Sequence, residues 1–143
     1  RDSGRPMPKK LICFSLWGDM TACGESYERN CHSDPFYGIA KKEKFKDHEA
    51  YFRRHPKYAG EHDLLDPYLS VSFADFSGFP PTAFFCGTAE VGESDSDTAF
   101  ANALGAGVDV KLYKYDGLFH DFQLLPFLPE SKDVFRKLES ILK

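Results

Sequence analysis

Three short apolar runs occur along the chain, separated by polar and turn-rich sequence. Residues 9–17 (KKLICFSLW) and 81–88 (PTAFFCGT) are nearly continuous in apolar character, which is typical of strands buried on both faces of a parallel sheet. Residues 108–115 (VDVKLYKY) alternate between apolar and polar positions, and this alternation indicates a strand nearer the edge. The pattern therefore predicts three strands of one sheet.

Two other segments have helical periodicity. Residues 94–107 lie between the second and third runs, and we expect Ser94 or Asp95 to cap the helix there and two glycines to end it. Residues 130–143 predict a closing amphipathic helix, whose apolar positions are Val134, Phe135, Leu138, Ile141 and Leu142. Strand, helix, strand and helix in this order predict a βαβ unit with a covering helix, and hence an α/β fold with a mostly parallel sheet.

The long polar and aromatic stretch at 18–70 interrupts this pattern. It contains two segments with helical character, around 34–42 and 45–54. An insertion of this size between strands usually forms a cap over a pocket, so we expect a cap or lid here. The predicted organisation is a linker and first core strand at 1–17, the cap at 18–70, and the rest of the core at 71–143.

Composition and charge narrow the function classes. The 143-residue chain has a net charge of −4 and a pI near 5.7, which disfavours a nucleic-acid partner. It has no signal peptide and no apolar run near twenty residues, so we expect no membrane span in this segment and a cytoplasmic location. Cys23, Cys31 and His32 match no zinc module, so no metal site is expected. Since the sequence starts at Arg1, we expect a piece of a longer protein.

Two titratable residues follow neighbouring predicted strands. Glu90 comes after the second run and His120 after the third, 30 residues later, which is one strand–helix–strand excursion. Because functional groups gather at the carboxyl ends of parallel strands, these side chains are candidates for the acid and base of a nucleophilic triad. Spacing alone leaves open a surface histidine and an unrelated loop glutamate. Asp116 and Asp121 flank the histidine too closely to reach its Nδ1 easily.

Three strings occur in order between residues 8 and 124: PKKLICFSLWGDMT, ADFSGFPPTAFFCGTAEVGESDS and AGVDVKLYKYDGLFHDFQL. Together they resemble the C-terminal half of an α/β-hydrolase of the hormone-sensitive-lipase-like (arylacetamide-deacetylase-like) esterase family. The resemblance implies that Glu90 is the triad acid and that His120, in GLFHDF, is the base. It also implies that the serine nucleophile and the oxyanion hole lie upstream. Gly92 and Ser94 depart from the Leu and Asp that are usual in the acid loop.

The string GESDS (92–96) resembles a nucleophile elbow, with Ser94 as its serine. Ser96, however, stands where the elbow needs a second glycine. In α/β-hydrolases the order is serine, acid, histidine, and no strand remains between Ser94 and His120 to carry an acid. We therefore interpret Ser94 as structural.

The resemblance implies a carboxylesterase or deacetylase acting on uncharged short-acyl esters. Trp17, Phe119 and Phe122 are predicted to contact substrate, with Tyr37 and Tyr51 as further aromatic candidates, although ordinary packing is the alternative for each. No cofactor is expected. The expected partners are a small-molecule ester and the upstream half of the same protein, and a homodimer stays open. The alternative function is a non-catalytic relative that binds a small molecule, but a pure binder has no need of both Glu90 and His120.

Overall fold

All three predicted strands form, and they pair in parallel in one sheet. The computed structural model describes residues 1–39 and 57–143. The strands are β1 (Leu11–Phe14), β2 (Thr82–Gly87) and β3 (Val110–Tyr115), in the order β1-β2-β3. Each lies within its predicted apolar run, which confirms the parallel sheet.

Within the described residues, three helices accompany the sheet: α1 (Glu25–Arg29), α2 (Glu93–Gly105) and α3 (Pro129–Leu142). Short 3₁₀ turns occur at Lys57–Ala59, Val71–Phe73 and Phe122–Leu124. The helices α2 and α3 match the two predicted helical segments closely. In the described ranges, 1–39 and 57–143, no helix has the length and apolar character that crossing a membrane requires.

The hydrophobic core lies on both faces of β2, whose six residues are all buried. Successive side chains of a strand point to opposite faces, so Phe84 and Phe85 enter different clusters. Phe84 packs toward α2, in a cluster with Phe76, Ala99, Ala103 and Val108. Phe85 packs toward α3, with Ala83, Phe122 and Val134. The continuous apolar character of 81–88 follows from this two-sided burial.

The strand register brings the carboxyl ends of all three strands to one edge of the sheet. Gly87, the last residue of β2, pairs with Tyr115, the last residue of β3. The ladder continues one step further, because the Ser15 N–H donates to the carbonyl of Phe85 at 2.8 Å and the Thr88 N–H to that of Tyr115 at 2.9 Å. The loops that follow the three strands therefore start side by side.

The predicted cap of α2 is wrong. The helix begins at Glu93 with Gly92 as its N-cap, and no side chain caps it. Ser94 and Asp95 lie inside the first turn and use their side chains elsewhere. The Ser94 hydroxyl lies 2.6 Å from the Ser26 hydroxyl, and Asp95 accepts the Gly18 N–H at 2.9 Å. Tertiary contacts to the segment after β1 have replaced local capping.

The predicted helix at 34–42 is not present in its described part, 34–39, which consists of turns. The Asp34 carboxylate accepts the N–H of Phe36 at 3.0 Å and that of Tyr37 at 3.3 Å, and this local bonding competes with a helix. The segment predicted at 45–54 lies outside the described residues. The helix α1 was not predicted, since five residues carry too little periodicity.

Candidate active site

Glu90 lies at the end of the loop after β2 and is fully buried. Its Oε1 accepts hydrogen bonds from the hydroxyl of Ser15, at 3.0 Å, and from the backbone N–H of Gly87. Its Oε2 has no hydrogen-bond partner of good geometry in the described part of the chain and lies 3.5 Å from Nδ1 of His120. One carboxylate oxygen is thus held by the protein, and the other faces the imidazole.

His120 lies in the loop after β3, next to the loop at 88–92 that carries Glu90, which we call the acid loop. The Ala89 N–H donates to the carbonyl of Leu118 at 2.9 Å, and the Gly117 N–H donates to the hydroxyl of Thr88 at 2.8 Å. Gly117 has φ +68°, a conformation that glycine adopts without strain. These cross-loop bonds continue the β2–β3 pairing and bring His120 beside Glu90, as the sequence spacing predicts.

The histidine is flanked by two carboxylates on its two ring nitrogens. Glu90 faces Nδ1, whereas Asp121 Oδ2 lies 3.5 Å from Nε2. Burial lowers the pKa of His120, but the adjacent Glu90 carboxylate and the charges of Asp121 and Asp34 outweigh this effect, so the net pKa is raised. A carboxylate on Nδ1 favours the tautomer whose Nε2 can accept a proton, which a general base requires.

Polar residues after α1 form hydrogen bonds with the backbone of the acid loop. The Asn30 side-chain amide donates to the carbonyls of Thr88, at 3.0 Å, and Glu90, at 2.7 Å. Asp34 accepts the N–H of Val91 at 3.1 Å. These contacts fix the backbone on both sides of Glu90, so the segment predicted as a cap also supports the acid.

Sequence reasoning missed the supporting residues Ser15, Asn30 and Asp34. Ser15 was inside a predicted strand, where nothing distinguished its hydroxyl from any other polar position. Asn30 and Asp34 belong to a polar stretch with no period, and their targets are backbone groups some 60 residues away in sequence, at 88–91. The only available signal was position: Ser15 directly follows a strand whose carboxyl end faces the site.

The carboxylates of Asp19 and Asp95 fix the loop after β1. Asp19 accepts the backbone N–H of Thr21 at 2.7 Å and that of Cys23 at 3.1 Å. Asp95 Oδ2 accepts the N–H groups of Gly18 and Asp19 and the hydroxyl of Tyr27, at 2.8 to 3.0 Å. Burial raises the pKa of Asp95 to about 7, although these hydrogen bonds oppose the shift.

A cavity of about 320 Å³ opens beside the histidine. It is lined by Phe36, Tyr37, His120, Asp121, Leu124 and Leu125. The Tyr37 ring meets the His120 ring edge-on, with a centroid distance of 4.4 Å. The cavity is therefore mostly apolar, with the imidazole and one carboxylate as its polar groups.

Two of the residues predicted to contact substrate pack on aromatic residues that line this cavity. The Trp17 ring packs on Tyr37 with a centroid distance of 5.4 Å, and the Phe119 ring packs on Phe36 with a centroid distance of 5.9 Å. Neither Trp17 nor Phe119 lines the cavity itself. Their role in substrate binding stays a prediction, and the geometry favours an indirect one.

The predicted substrate role of Phe122 is not supported. Phe122 is 0% exposed and lies in the core cluster under α3 with Phe85 and Val134, so it has no surface to offer a ligand. Its ring packs on that of Tyr115, with a centroid distance of 5.1 Å. Tyr51, another aromatic candidate, lies outside the described residues.

No group of three or more His, Cys, Asp or Glu side chains suited to a metal ion occurs within 1–39 and 57–143. Of the four histidines other than His120, His32 and His62 are exposed, and His48 and His55 fall outside the described ranges. What the described site does offer is an oriented imidazole beside a mostly apolar cavity, which is a geometry suited to proton transfer.

A carboxylate–histidine pair beyond the carboxyl ends of neighbouring parallel strands, in a sheet with helices packed on both faces, is compatible with the class of α/β-hydrolases. Comparison with known proteins gives the same class. Residues 1–124 match the family described as the alpha/beta hydrolase fold, and the chain belongs to that family.

The chain is similar to esterases in sequence and in structure. It is 28% identical over 133 residues to an acetyl-hydrolase of Streptomyces hygroscopicus, covering 92% of this chain and 42% of that protein. It is 30% identical over 127 residues to an esterase of Acinetobacter venetianus, covering 88% and 39%. The crystal structure of an esterase from the bacterial hormone-sensitive lipase family superposes with a TM-score of 0.80 at 30% identity, over 99% of this chain and 45% of that one.

These matches confirm the resemblance to hormone-sensitive-lipase-like esterases. The chain spans about two fifths of the length of the curated relatives it matches.

Proposed function

We propose that this chain provides the acid and base of a serine carboxylesterase, with Glu90 as the acid and His120 as the base. The observation that carries the proposal is the orientation of the pair. Glu90 Oε2 lies 3.5 Å from Nδ1 of His120, and the opposite nitrogen lies beside Asp121, which lines the cavity. An imidazole oriented in this way takes a proton from a nucleophile on its Nε2 side.

The serine and the oxyanion donors come, in this proposal, from a segment upstream of Arg1. The serine hydroxyl attacks the acyl carbon of the ester as His120 Nε2 accepts its proton. The imidazolium, stabilised by Glu90, then protonates the departing alcohol and leaves an acyl-enzyme. Water attacks the acyl group in turn, His120 again accepts the proton, and its return to the serine oxygen releases the carboxylic acid.

The substrate class follows from the cavity and from the names of the relatives. A space of about 320 Å³ with mostly apolar walls suits a small uncharged group. The described part of the cavity wall offers the Asp121 carboxylate and no Lys or Arg side chain, so an anionic acyl group is disfavoured. An acetyl-hydrolase and an esterase among the relatives support short acyl esters, acetates in particular.

The test uses the full-length protein that contains this chain. A fluorophosphonate probe should label one serine outside this chain, and hydrolysis of a chromogenic acetate ester should follow. His120→Ala and Glu90→Gln should each lower kcat by about 10³- to 10⁴-fold, because the first removes the base and the second favours the wrong tautomer.

His62→Ala is the matched control, since His62 is exposed and follows the 3₁₀ turn at Lys57–Ala59. Its kcat should stay within about twofold of wild type, as for surface substitutions away from the site. A tenfold or smaller loss in His120→Ala would contradict the proposal. Ligand binding without labelling or hydrolysis would instead support a non-catalytic binding protein.

A further inference from the structure

Ser15 occupies a strained backbone position at the centre of the site. It directly follows β1, is 4% exposed and has φ +42°, in the left-handed region that non-glycine residues rarely adopt. Its own N–H donates to the carbonyl of Phe85 at 2.8 Å, which fixes its backbone against β2. A glycine would adopt this conformation at lower cost, so the side chain must offer something in return.

The hydroxyl of Ser15 joins the loop of the acid to the loop of the base. It lies 3.0 Å from Oε1 of Glu90 and accepts the backbone N–H of Asp121 at 2.9 Å. A third oxygen, Oε1 of Gln123, is 3.4 Å away. A hydroxyl has one proton, and the nearer, charged acceptor is the better partner for it. The proton therefore goes to Glu90, and a lone pair accepts the N–H of Asp121.

We propose that Ser15 is a positioning residue, which aligns the Glu90 carboxylate with the His120 imidazole. By holding Oε1, its hydroxyl leaves Oε2 directed at Nδ1 of His120. By accepting the N–H of Asp121, whose φ is +55°, it also fixes the backbone one residue after the base. One side chain thus sets both partners of the pair. This inference rests on the proposed function, since it concerns the same acid and base.

The test compares Ser15→Ala and Ser15→Gly in the full-length protein. Both variants remove the hydroxyl, but the glycine also relieves the positive φ. If Ser15 were only structural, activity would follow stability, and Ser15→Gly would be the better enzyme. If the hydroxyl positions the pair, both variants should lose about 10- to 100-fold in kcat, the range expected for a misaligned catalytic group.

The loss should fall on kcat and leave KM within about twofold, because Ser15 does not line the cavity. The low-field NMR signal of the His120 Nδ1 proton, which reports its bond to Glu90, should shift or broaden in both variants. Ser131→Ala is the matched control: its hydroxyl is equally buried and donates to the carbonyl of Phe122 at 2.8 Å. That variant should lose stability and keep its kcat and its Nδ1 signal.

The outcomes separate this inference from the proposed function. If His120→Ala and Glu90→Gln are inactive while both Ser15 variants keep wild-type kcat, the positioning role is wrong and the esterase proposal stands. A loss confined to KM, or an unchanged Nδ1 signal, also overturns the positioning role. If His120→Ala and Glu90→Gln retain activity, the proposed function itself fails.

Discussion

Gly87 offers the sharpest test of how the site is held together. It ends β2, and its N–H donates to the Glu90 carboxylate. A Cβ built on Gly87 would lie 2.0 Å from the carbonyl oxygen of Leu118 and 2.3 Å from the carbonyl carbon of that residue. Both atoms are backbone, so no side-chain rotation relieves the clash. The loop that carries His120 must move away by about 1 Å.

We therefore expect Gly87→Ala to impair both stability and catalysis. Overpacking of this kind costs about 1–3 kcal/mol of unfolding free energy. A displacement of about 1 Å between catalytic groups costs about 100-fold in rate. The clash also disturbs the 2.9 Å hydrogen bond from the Ala89 N–H to Leu118, so the loss should appear in kcat more than in KM.

The assay is hydrolysis of a chromogenic acetate ester by the full-length protein, combined with urea unfolding. Gly105→Ala is the matched control, because a Cβ on Gly105, at the end of α2, meets nothing within 4 Å. It should leave kcat unchanged and raise the unfolding free energy by up to about 1 kcal/mol. If Gly87→Ala keeps kcat within threefold of wild type, close packing of the two loops does not set the catalytic pair.

Four further variants test the effects of charge and packing. Asp121→Asn removes a charge that raises the pKa of His120, so the acid limb of the kcat/KM profile should move to lower pH. In the folded protein the pKa of Asp95 is raised from 3.8 to about 7. Between these two pH values the Asp95 carboxyl is protonated in the folded protein and ionised in the unfolded chain. The unfolding free energy therefore decreases as pH rises through this range. In Asp95→Asn, urea unfolding should show a smaller decrease over the same range, because the variant has no carboxyl to titrate there. Phe122→Ala should cost about 3–5 kcal/mol in unfolding free energy. Phe119→Ala should mainly raise KM, and a stability loss as large as that of Phe122→Ala would contradict this difference.

The sheet was predictable because its signals are local and strong. The run PTAFFCGT has no polar interruption, since β2 is covered on both faces, and the alternation of 108–115 matches a less buried strand. The pairing of Glu90 with His120 was predictable from topology, because adjacent parallel strands end at one edge. Their roles as acid and base come from the resemblance to known esterases and stay a prediction.

The errors arose where side chains bond over long distances in sequence. Asp95 and Ser94 are good capping residues, but they instead contact the segment at 18–26, which no local pattern reveals. Asp34 prevents a local helix and binds the acid loop at Val91. Phe122 looks like a pocket residue by its nearness to His120, yet burial under α3 decides its role.

The mutual bonding of the acid and base loops has a consequence for local unfolding. The Ala89 N–H is protected by the Leu118 carbonyl on the other loop, and the Gly117 N–H by the Thr88 hydroxyl. Neither loop can separate without breaking the protection of the other, so the two open as one cooperative unit. Their amide protons should then exchange with solvent at one common free energy, and that same quantity limits the fraction of molecules in which the imidazole has lost its acid.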